Sequence, residues 1–122
     1  MAEALPISLV VDDDPVSLML LQAWSTGAGL KPVTAREGLE AHRILLSGLR
    51  PSVIVTDIEM PGLDGLKLLD RVRRNPVLAG IPVIVVSSRR EPAGHQADHW
   101  LSKGESVRLA ALLRDAAADG YV

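Results

Sequence analysis

Residues 53–65 read VIVTDIEMPGLDG, and this stretch decides the fold. Residues 53–56 are all β-branched, which predicts a strand that is buried on both faces. The run ends at a single carboxylate, Asp57. Ligands of open parallel sheets bind beyond the carboxyl ends of the strands, so an acid here is placed for chemistry rather than for packing. We therefore interpret Asp57 as the first candidate for a reacting residue, and Asp64 as the N-cap of the following helix.

The composition is typical of one folded domain. The chain has 122 residues, of which 48% are hydrophobic and 23% are charged, a profile without a disordered tail. Its net charge of −2 offers no basic face for nucleic acid. The absence of cysteine excludes disulfides and thiolate metal sites, and it suits the cytoplasm. No apolar run approaches roughly 18 residues and the start lacks a positive segment, so we predict neither a membrane span nor a signal peptide.

A second predicted strand also ends in acids. Residues 7–11 form a short apolar run that stops at Asp12, Asp13 and Asp14. Asp14 and Pro15 fit the N-cap and the first position of a helix, so Asp14 is interpreted as a capping residue. We expect one side of that helix to face inward. This side consists of Leu20, Leu21, Trp24 and Ala28.

Two further helices are predicted from their apolar spacing. Helix 36–47 follows a brief strand at residues 31–35, and helix 65–74 follows the third strand. Their inward positions are Ala41, Ile44 and Leu45 in the first helix and Leu68, Leu69 and Val72 in the second. His42 lies among charged neighbours and is interpreted as a surface histidine, because no second ligand stands at helical spacing. The basic outer positions, interpreted as a solvated face, are Arg71, Arg73 and Arg74.

The last two predicted strands are followed by a different kind of side chain, hydroxyl groups after one and an ammonium group after the other. Residues 83–86 run to the hydroxyls of Ser87 and Ser88, and residues 99–102 run to the ammonium of Lys103. A final helix is expected over residues 105–118, with Leu109, Leu112, Leu113 and Ala116 facing inward. Strands that alternate with helices predict an α/β fold, here a doubly wound five-stranded parallel sheet with helices on both faces.

Parallel strands bring their carboxyl ends to one edge of a sheet, so five reactive side chains should meet there. These are Asp12, Asp13, Asp57, Ser87 and Lys103. Three carboxylates so close repel one another unless a hard cation joins them, and Mg²⁺ with its oxygen ligands is the natural one. A metal beside a nucleophilic carboxylate, with an ammonium and a hydroxyl opposite, supplies what phosphoryl transfer requires. The pattern therefore predicts that an aspartyl phosphate forms.

Four motifs in order along the chain resemble a known family. They are LVVDDDP at residues 9–15, VTDIEMPGLDG at 55–65, PVIVVSS at 82–88 and WLSK at 100–103. These motifs look like the CheY-like receiver domain of two-component response regulators. The resemblance covers essentially the whole chain, so residues 1–122 are expected to form one receiver domain. It implies a flavodoxin-like sheet with the strand order 2-1-3-4-5.

The resemblance implies that Asp57 accepts a phosphoryl group from a phosphohistidine. The donor would be a histidine kinase or a histidine phosphotransfer protein in the cytoplasm. Mg²⁺ would be held by Asp13, Asp57 and the backbone carbonyl of Glu59, with Asp12 acting through water. The receiver would be a monomer or weak dimer that signals to a downstream protein, not to nucleic acid or a membrane, and would not be a turnover enzyme.

The resemblance implies three further roles around the phosphoryl group. Lys103 would pair with its oxygens, and Ser87 would swing to hydrogen-bond one of them. Trp100 stands where the family has an aromatic side chain that changes rotamer with that swing. A packed aromatic on a strand is the alternative interpretation of Trp100.

The sequence departs from the family pattern at two places. Gly104 follows Lys103 where the family usually has proline, which leaves the loop less fixed. Only residues 88–98, including Pro92 and Gly94, separate the fourth and fifth strands, and a parallel crossover usually needs about a dozen residues or more. We therefore predict that the fourth helix of the family is shortened or missing here. Such a chain would signal through a different surface or with a different partner, because that helix contributes to the family's usual output face.

Two charged residues at the rim predict a control on phosphate lifetime. Glu59 lies two residues after Asp57, and Arg89 lies two residues after Ser87, where a hydrolytic water must enter. Our hypothesis is that the two charges pair over the acyl phosphate and partly shield it, although an exposed pair contributes little stability by itself.

Two other functions remain open at this stage. A pseudo-receiver would keep the fold as a docking module without phosphorylation, and failure to bind Mg²⁺ would favour it. A phosphohydrolase of the haloacid dehalogenase-like kind would use Glu59 as its acid/base. A chain of this length leaves no room for its cap or substrate pocket, and turnover of small phosphomonoesters would be needed to support it.

Overall fold

A computed structural model describes residues 4–119, which form an α/β fold. The strands are β1 (Ile7–Val11), β2 (Lys31–Ala35), β3 (Val53–Thr56), β4 (Val83–Val86) and β5 (His99–Leu101). The helices are α1 (Pro15–Gly27), α2 (Gly38–Leu46), α3 (Gly65–Arg74) and α4 (Ser106–Asp119). The predicted bounds of the strands and helices agree with these to within two residues.

The five strands are parallel and lie in the order β2-β1-β3-β4-β5, which confirms the flavodoxin-like arrangement. At the carboxyl edge Val11 pairs with Thr56, Thr56 with Val85, and Val85 with Trp100. This register places the residues that follow β1, β3, β4 and β5 side by side at one edge of the sheet.

The sheet separates two hydrophobic layers. Ile54 packs with the layer that contains the inward side chains of α2 and α3. Val53 and Val55 pack with the opposite layer, which contains those of α1 and α4. All three side chains are almost completely buried. The prediction that β3 is buried on both faces is therefore confirmed, and its backbone leads directly to Asp57.

The first turns of α1 and α3 begin at capped residues, as predicted. The Asp14 carboxylate accepts hydrogen bonds from the backbone N–H and the hydroxyl of Ser17, at 3.1 and 2.8 Å. The Asp64 carboxylate accepts from the backbone N–H of Lys67 at 2.9 Å. The next residue must be glycine, because a Cβ on Gly65 would overlap the carbonyl oxygen of Asp57. The start of α3 is thus packed directly against the backbone of the candidate reacting residue.

The inward side of α1 differs from the prediction at one position. Leu18, Leu21 and Ser25 are buried, whereas Leu20 is 49% exposed. Residues at positions 18, 21 and 25 follow the helical spacing of three and four, and Leu20 lies beside that line. The placement of Leu20 in the core was therefore wrong.

The crossover between β4 and β5 contains no helix, and both of its ends lie within the described residues 4–119. The prediction of a shortened or missing fourth helix is thus confirmed. We call residues 88–97 the strap; this segment has a turn at residues 93–94, and its Ala97 packs against a small buried cluster of Ile58, Val85 and Trp100.

Arg73 lies inside the fold and not on the solvated basic face predicted for it. Its side chain is only 18% exposed and forms a 2.6 Å ion pair with Asp98. The guanidinium also donates to the backbone carbonyls of Ala79, Ile81 and Gln96, at 2.8 to 3.0 Å. Arg73 therefore joins α3 to the loop before β4 and to the strap.

We predict that Arg73→Met lowers the free energy of unfolding by about 2–3 kcal/mol, because it leaves the Asp98 carboxylate and three carbonyls without their donor. The matched variant is Arg74→Met, since Arg74 is 80% exposed and only pairs with Asp70 one turn away. Urea unfolding followed by circular dichroism should show less than about 0.5 kcal/mol for Arg74→Met. Equal losses in the two variants would contradict the role of Arg73.

Candidate functional site

Three carboxylates meet at the carboxyl edge of the sheet. Asp12 follows β1 and Asp57 follows β3, and both are buried, while the neighbouring Asp13 is exposed. Each of the three offers one oxygen, and these oxygens all lie within 4.8 Å of one another. The register of the strands alone brings these carboxylates together, since Val11 and Thr56 are paired residues of β1 and β3.

Lys103 supplies a positive charge to this cluster. Its Nζ lies 3.0 Å from Asp57 Oδ2 and 3.7 Å from Asp12 Oδ2. It stands in the turn after β5, which brings the ammonium across β4 to the acids. Gly104 in place of the family's proline has therefore not moved Lys103 away from Asp57.

The pKa values of two groups reflect this crowding. Burial raises the pKa of Asp12, and the negative charges of Asp57 and Asp13 add to the increase, while the Asp14 N–H and Lys103 oppose it. Burial lowers the pKa of Lys103, but its hydrogen bond to Asp57 and the charges of Asp12 and Asp57 outweigh burial and raise it. Lys103 is therefore a permanent cation at neutral pH, and one ammonium faces three acids.

The Asp57 carboxylate has different partners at its two oxygens. Oδ1 accepts a hydrogen bond from the backbone N–H of Ile58 at 2.7 Å, and Oδ2 accepts from Lys103. The hydroxyl of Thr56 donates to the backbone carbonyl of Asp57. These contacts fix the carboxylate at the end of its strand.

Ser87, Arg89 and Trp100 are connected at the rim of the site. Ser87 is buried, and its hydroxyl oxygen accepts a hydrogen bond from the backbone N–H of Arg89 at 3.0 Å. The indole N–H of Trp100 donates to the backbone carbonyl of Arg89 at 3.2 Å. Sequence reasoning missed this second bond, because no pattern in the chain identifies which carbonyl an indole will meet.

The pair of rim charges expected from the sequence is present. Arg89 donates to one carboxylate oxygen of Glu59 from two nitrogens, at 2.6 and 3.0 Å. Both side chains are exposed, Glu59 by 62%. The pair bridges the loop after β3 and the start of the strap.

His42 lies away from the acid cluster. Its Nδ1 is 3.2 Å from the Arg71 guanidinium on α3, and its side chain is half-buried. Burial and the charge of Arg71 lower its pKa. His42 therefore accepts a hydrogen bond from a neighbouring helix and contributes no ligand to the carboxylate cluster.

The donor set of the cluster suits a hard divalent cation. All three side chains offer oxygen, as Mg²⁺ prefers, and the single ammonium leaves them with excess negative charge. Asp13 is open to solvent, so an ion could keep part of its water shell.

Comparison with known proteins defines the class. A family model for the response regulator receiver domain matches residues 8–104. The chain therefore belongs to the family of response regulator receiver domains, a class of two-component signalling proteins.

Individual relatives agree with this class. The chain is 35% identical over 103 residues to a gliding motility regulatory protein of Myxococcus xanthus, a match covering 80% of the chain and 13% of that protein. It is 43% identical over 100 residues to a protein-glutamate methylesterase/protein-glutamine glutaminase of Anaeromyxobacter dehalogenans, covering 81% of the chain and 27% of the relative. The chain thus spans only a small part of the length of the curated relatives it matches.

Solved structures show the same fold. The signal receiver domain of a signal transduction histidine kinase from Syntrophus aciditrophicus superimposes with a TM-score of 0.83 at 29% identity, covering 93% of this chain and 91% of that one. Chemotaxis protein CheY4 of Vibrio cholerae gives a TM-score of 0.81 at 25% identity, covering 93% and 99%. Within residues 4–119, every helix is too short or too polar to cross a membrane.

We predict that Asp12→Asn stabilises the metal-free protein at pH 7. The pKa of Asp12 is raised in the folded state, so the folded chain holds the Asp12 proton more tightly than the unfolded chain does. The ionised carboxylate therefore lowers the free energy of unfolding, and this loss is fully present at pH values above the raised pKa. Asparagine removes this cost and keeps an acceptor for the Asp14 N–H. The gain should shrink as the pH falls toward about 4, the ordinary pKa of aspartate.

Denaturant unfolding in the presence of a chelator measures this difference. The control is Asp115→Asn, an exposed carboxylate on α4, which should change the free energy of unfolding by less than about 0.5 kcal/mol. Loss of stability in Asp12→Asn at pH 7 would show that the ionised Asp12 carboxylate does not destabilise the folded protein.

Proposed function

We propose that this chain is a phosphoacceptor receiver in a two-component phosphorelay, and that Asp57 is the residue phosphorylated. The observation that carries the proposal is the buried Asp57 carboxylate at the end of β3, with Lys103 Nζ 3.0 Å from Oδ2 and two further acids beside it. The phosphoryl donor is a phosphohistidine of a histidine kinase or phosphotransfer protein.

The transfer forms one bond and breaks another. A carboxylate oxygen of Asp57 attacks the phosphorus, an O–P bond forms, and the N–P bond to the donor histidine breaks. The Lys103 ammonium, already within hydrogen-bond distance of Asp57, stays close to the incoming phosphoryl oxygens and offsets their charge. The chain changes only its own Asp57 and does not turn over a free substrate.

A divalent cation fits the neighbouring acids. We assign Mg²⁺ to Asp13, Asp57 and the backbone carbonyl of Glu59, with Asp12 acting through water. When bound, the ion neutralises negative charge that one lysine cannot offset alone. Asp12 and Asp13 would hold and orient the ion, and a carboxylate oxygen of Asp57 would still present a lone pair to phosphorus.

Phosphorylation of Asp57 changes the side chains at the rim of the site. Ser87 follows β4, the strand beside β3, and we infer that its hydroxyl turns to donate to a phosphoryl oxygen. Trp100 is buried on β5 next to Val85 and responds to that movement. The downstream partner is a protein.

We predict that incubation with Mg²⁺ and acetyl phosphate adds one phosphoryl group, measured as intact mass. Asp57→Asn should gain none, because an amide cannot form the acyl phosphate. Asp64→Asn is the matched control: it changes an acid in the same loop that caps α3, and it should still be phosphorylated. A chelator should suppress the gain in the parent.

The mass outcomes separate the alternatives. Equal incorporation in the parent and Asp57→Asn would exclude Asp57 as the acceptor. No incorporation from acetyl phosphate or from a donor kinase, in protein shown to be folded, would contradict the proposal and favour the pseudo-receiver. Steady hydrolysis of small phosphomonoesters would favour a turnover enzyme.

We further predict that Arg89→Ala speeds loss of the phosphoryl group severalfold. Arg89 pairs with Glu59, two residues after Asp57, and we expect removal of the pair to open a path for water. The rate is followed by intact mass after the donor is removed. Arg90→Ala is the control, since the neighbouring Arg90 is exposed. An unchanged rate in Arg89→Ala would show that the pair does not shield the phosphate.

A further inference from the structure

The outer face of α1 carries no charge. The helix is 13 residues long, and none of its residues is Asp, Glu, Lys or Arg. Its buried line consists of Leu18, Leu21 and Ser25. On the opposite side, exposed residues follow the spacing of four, three and four that places side chains on one line of a helix. These residues, which we name the α1 stripe, are Val16, Leu20, Ala23 and Gly27.

The large side chains near the amino end of α1 are open to solvent. Val16 is 62% exposed, and Met19, which flanks the stripe, is 63% exposed. A single exposed apolar side chain is ordinary, but neighbouring ones on a helix form a patch, and such patches mark interaction sites. The outer side of α3 differs, because it carries the exposed charges of Lys67 and Arg71. The uncharged outer face is therefore a property of α1.

The α1 stripe has a large half and a small half. Val16 and Leu20 form the large half, and Ala23 and Gly27 form the small half. A Cβ added at Gly27 would meet no atom within 4 Å in the described part of the chain, so the small end faces open space. A surface that is large at one end and small at the other is complementary to its own copy, when the copy runs in the opposite direction.

A two-fold axis that passes between residues 21 and 22 would pair the stripe with itself. Val16 of each copy then lies opposite Gly27 of the other copy, and Leu20 lies opposite Ala23. In a symmetric dimer each such contact occurs twice. The spacing of four, three and four residues is also the spacing at which two helices interlock their side chains. The stripe therefore fits a second copy of this chain.

Charges at the two ends of α1 favour the antiparallel direction. Asp13 and Asp14 precede the helix and are exposed, so a parallel pair would bring the acids of two copies together. An antiparallel pair keeps these acids apart. It also turns the acidic end of each copy toward the end of the other at which Lys31 is exposed.

We propose that the α1 stripe is the contact surface of a homodimer, in which α1 packs antiparallel against α1 of a second copy. The inference concerns a surface of the fold and does not depend on phosphorylation of Asp57. The helix is roughly 20 Å long, and a contact confined to this length falls below the total of about 1,200 Å² that stable complexes bury. The dimer is therefore weak and reversible, and Leu20, close to the two-fold axis, is its central contact.

Sedimentation equilibrium of the full chain, at concentrations from micromolar to millimolar, measures this dimer. The parent should pass from monomer to dimer across the range. Leu20→Lys should raise the Kd by about tenfold or more, because it places two ammonium groups beside the axis. The control is Leu46→Lys, which replaces a leucine that is 60% exposed on α2 and should leave the Kd unchanged.

A parent that stays monomeric across the whole range would overturn the proposal, and the stripe would then serve a partner of different sequence. Equal effects of Leu20→Lys and Leu46→Lys would place the contact away from α1.

Introduced cysteines test the direction of the helices, because the chain has none of its own. In the antiparallel pair, the two copies of residue 20 are separated by about 4.5 Å along the axis. Leu20→Cys should therefore be linked by a short bismaleimide. The two copies of residue 16 are separated by roughly 16 Å, so Val16→Cys should not be linked. Equal linkage of both variants would indicate a parallel pair and contradict the proposal.

Two complementary variants test the pairing of residue 20 with residue 23. Leu20→Glu and Ala23→Lys should each be monomeric. Mixed in equal amounts, they should form a mixed dimer, since the introduced carboxylate and ammonium face each other across the interface. A mixture that stays monomeric, while the parent dimerises, would contradict this pairing.

Discussion

The gathering of acids at one edge of the sheet is the constraint on which this structure depends. Parallel pairing of β1 with β3 brings Asp12, Asp13 and Asp57 together, and one ammonium, that of Lys103, opposes them. Burial, with a smaller contribution from the charges of Asp57 and Asp13, raises the pKa of Asp12, so its ionised form costs stability. Such a cluster can bind a cation and take part in phosphoryl transfer. Signalling receivers can therefore have their site at this edge of the sheet.

The fold holds the two sides of the cluster by different contacts. Gly65 lets α3 start against the Asp57 carbonyl, and the Asp64 cap fixes that start. Between β4 and β5, the strap stands where the family has a fourth helix, and side chains hold it at both ends. Arg73 provides the stable attachment of the strap, and Arg89 provides the attachment that lies within reach of the site.

The features of the fold and site that could be predicted from the sequence were those that depend on local residue patterns. β-branched runs that end in acids, hydroxyls or lysine predicted the strands and the residues gathered at their ends, and the short crossover predicted the missing helix. Contacts between residues that are distant in sequence could not be predicted in this way. Arg73 was interpreted as a surface charge, because the carbonyl groups and the Asp98 carboxylate that it binds lie in loops distant in sequence. Leu20 was misplaced because an apolar residue beside the buried line of a helix looks the same as one within it.

The most direct test of this account is calorimetric titration of the folded protein with Mg²⁺, in the parent and in Asp13→Asn. Asp13 is the open acid of the cluster, so its replacement removes a ligand without disturbing the buried core. The account predicts one saturable site in the parent and a large loss of affinity in the variant. Absence of saturable binding in the parent, or equal affinity in both proteins, would contradict the claim that the gathered carboxylates form a cation site for phosphoryl chemistry.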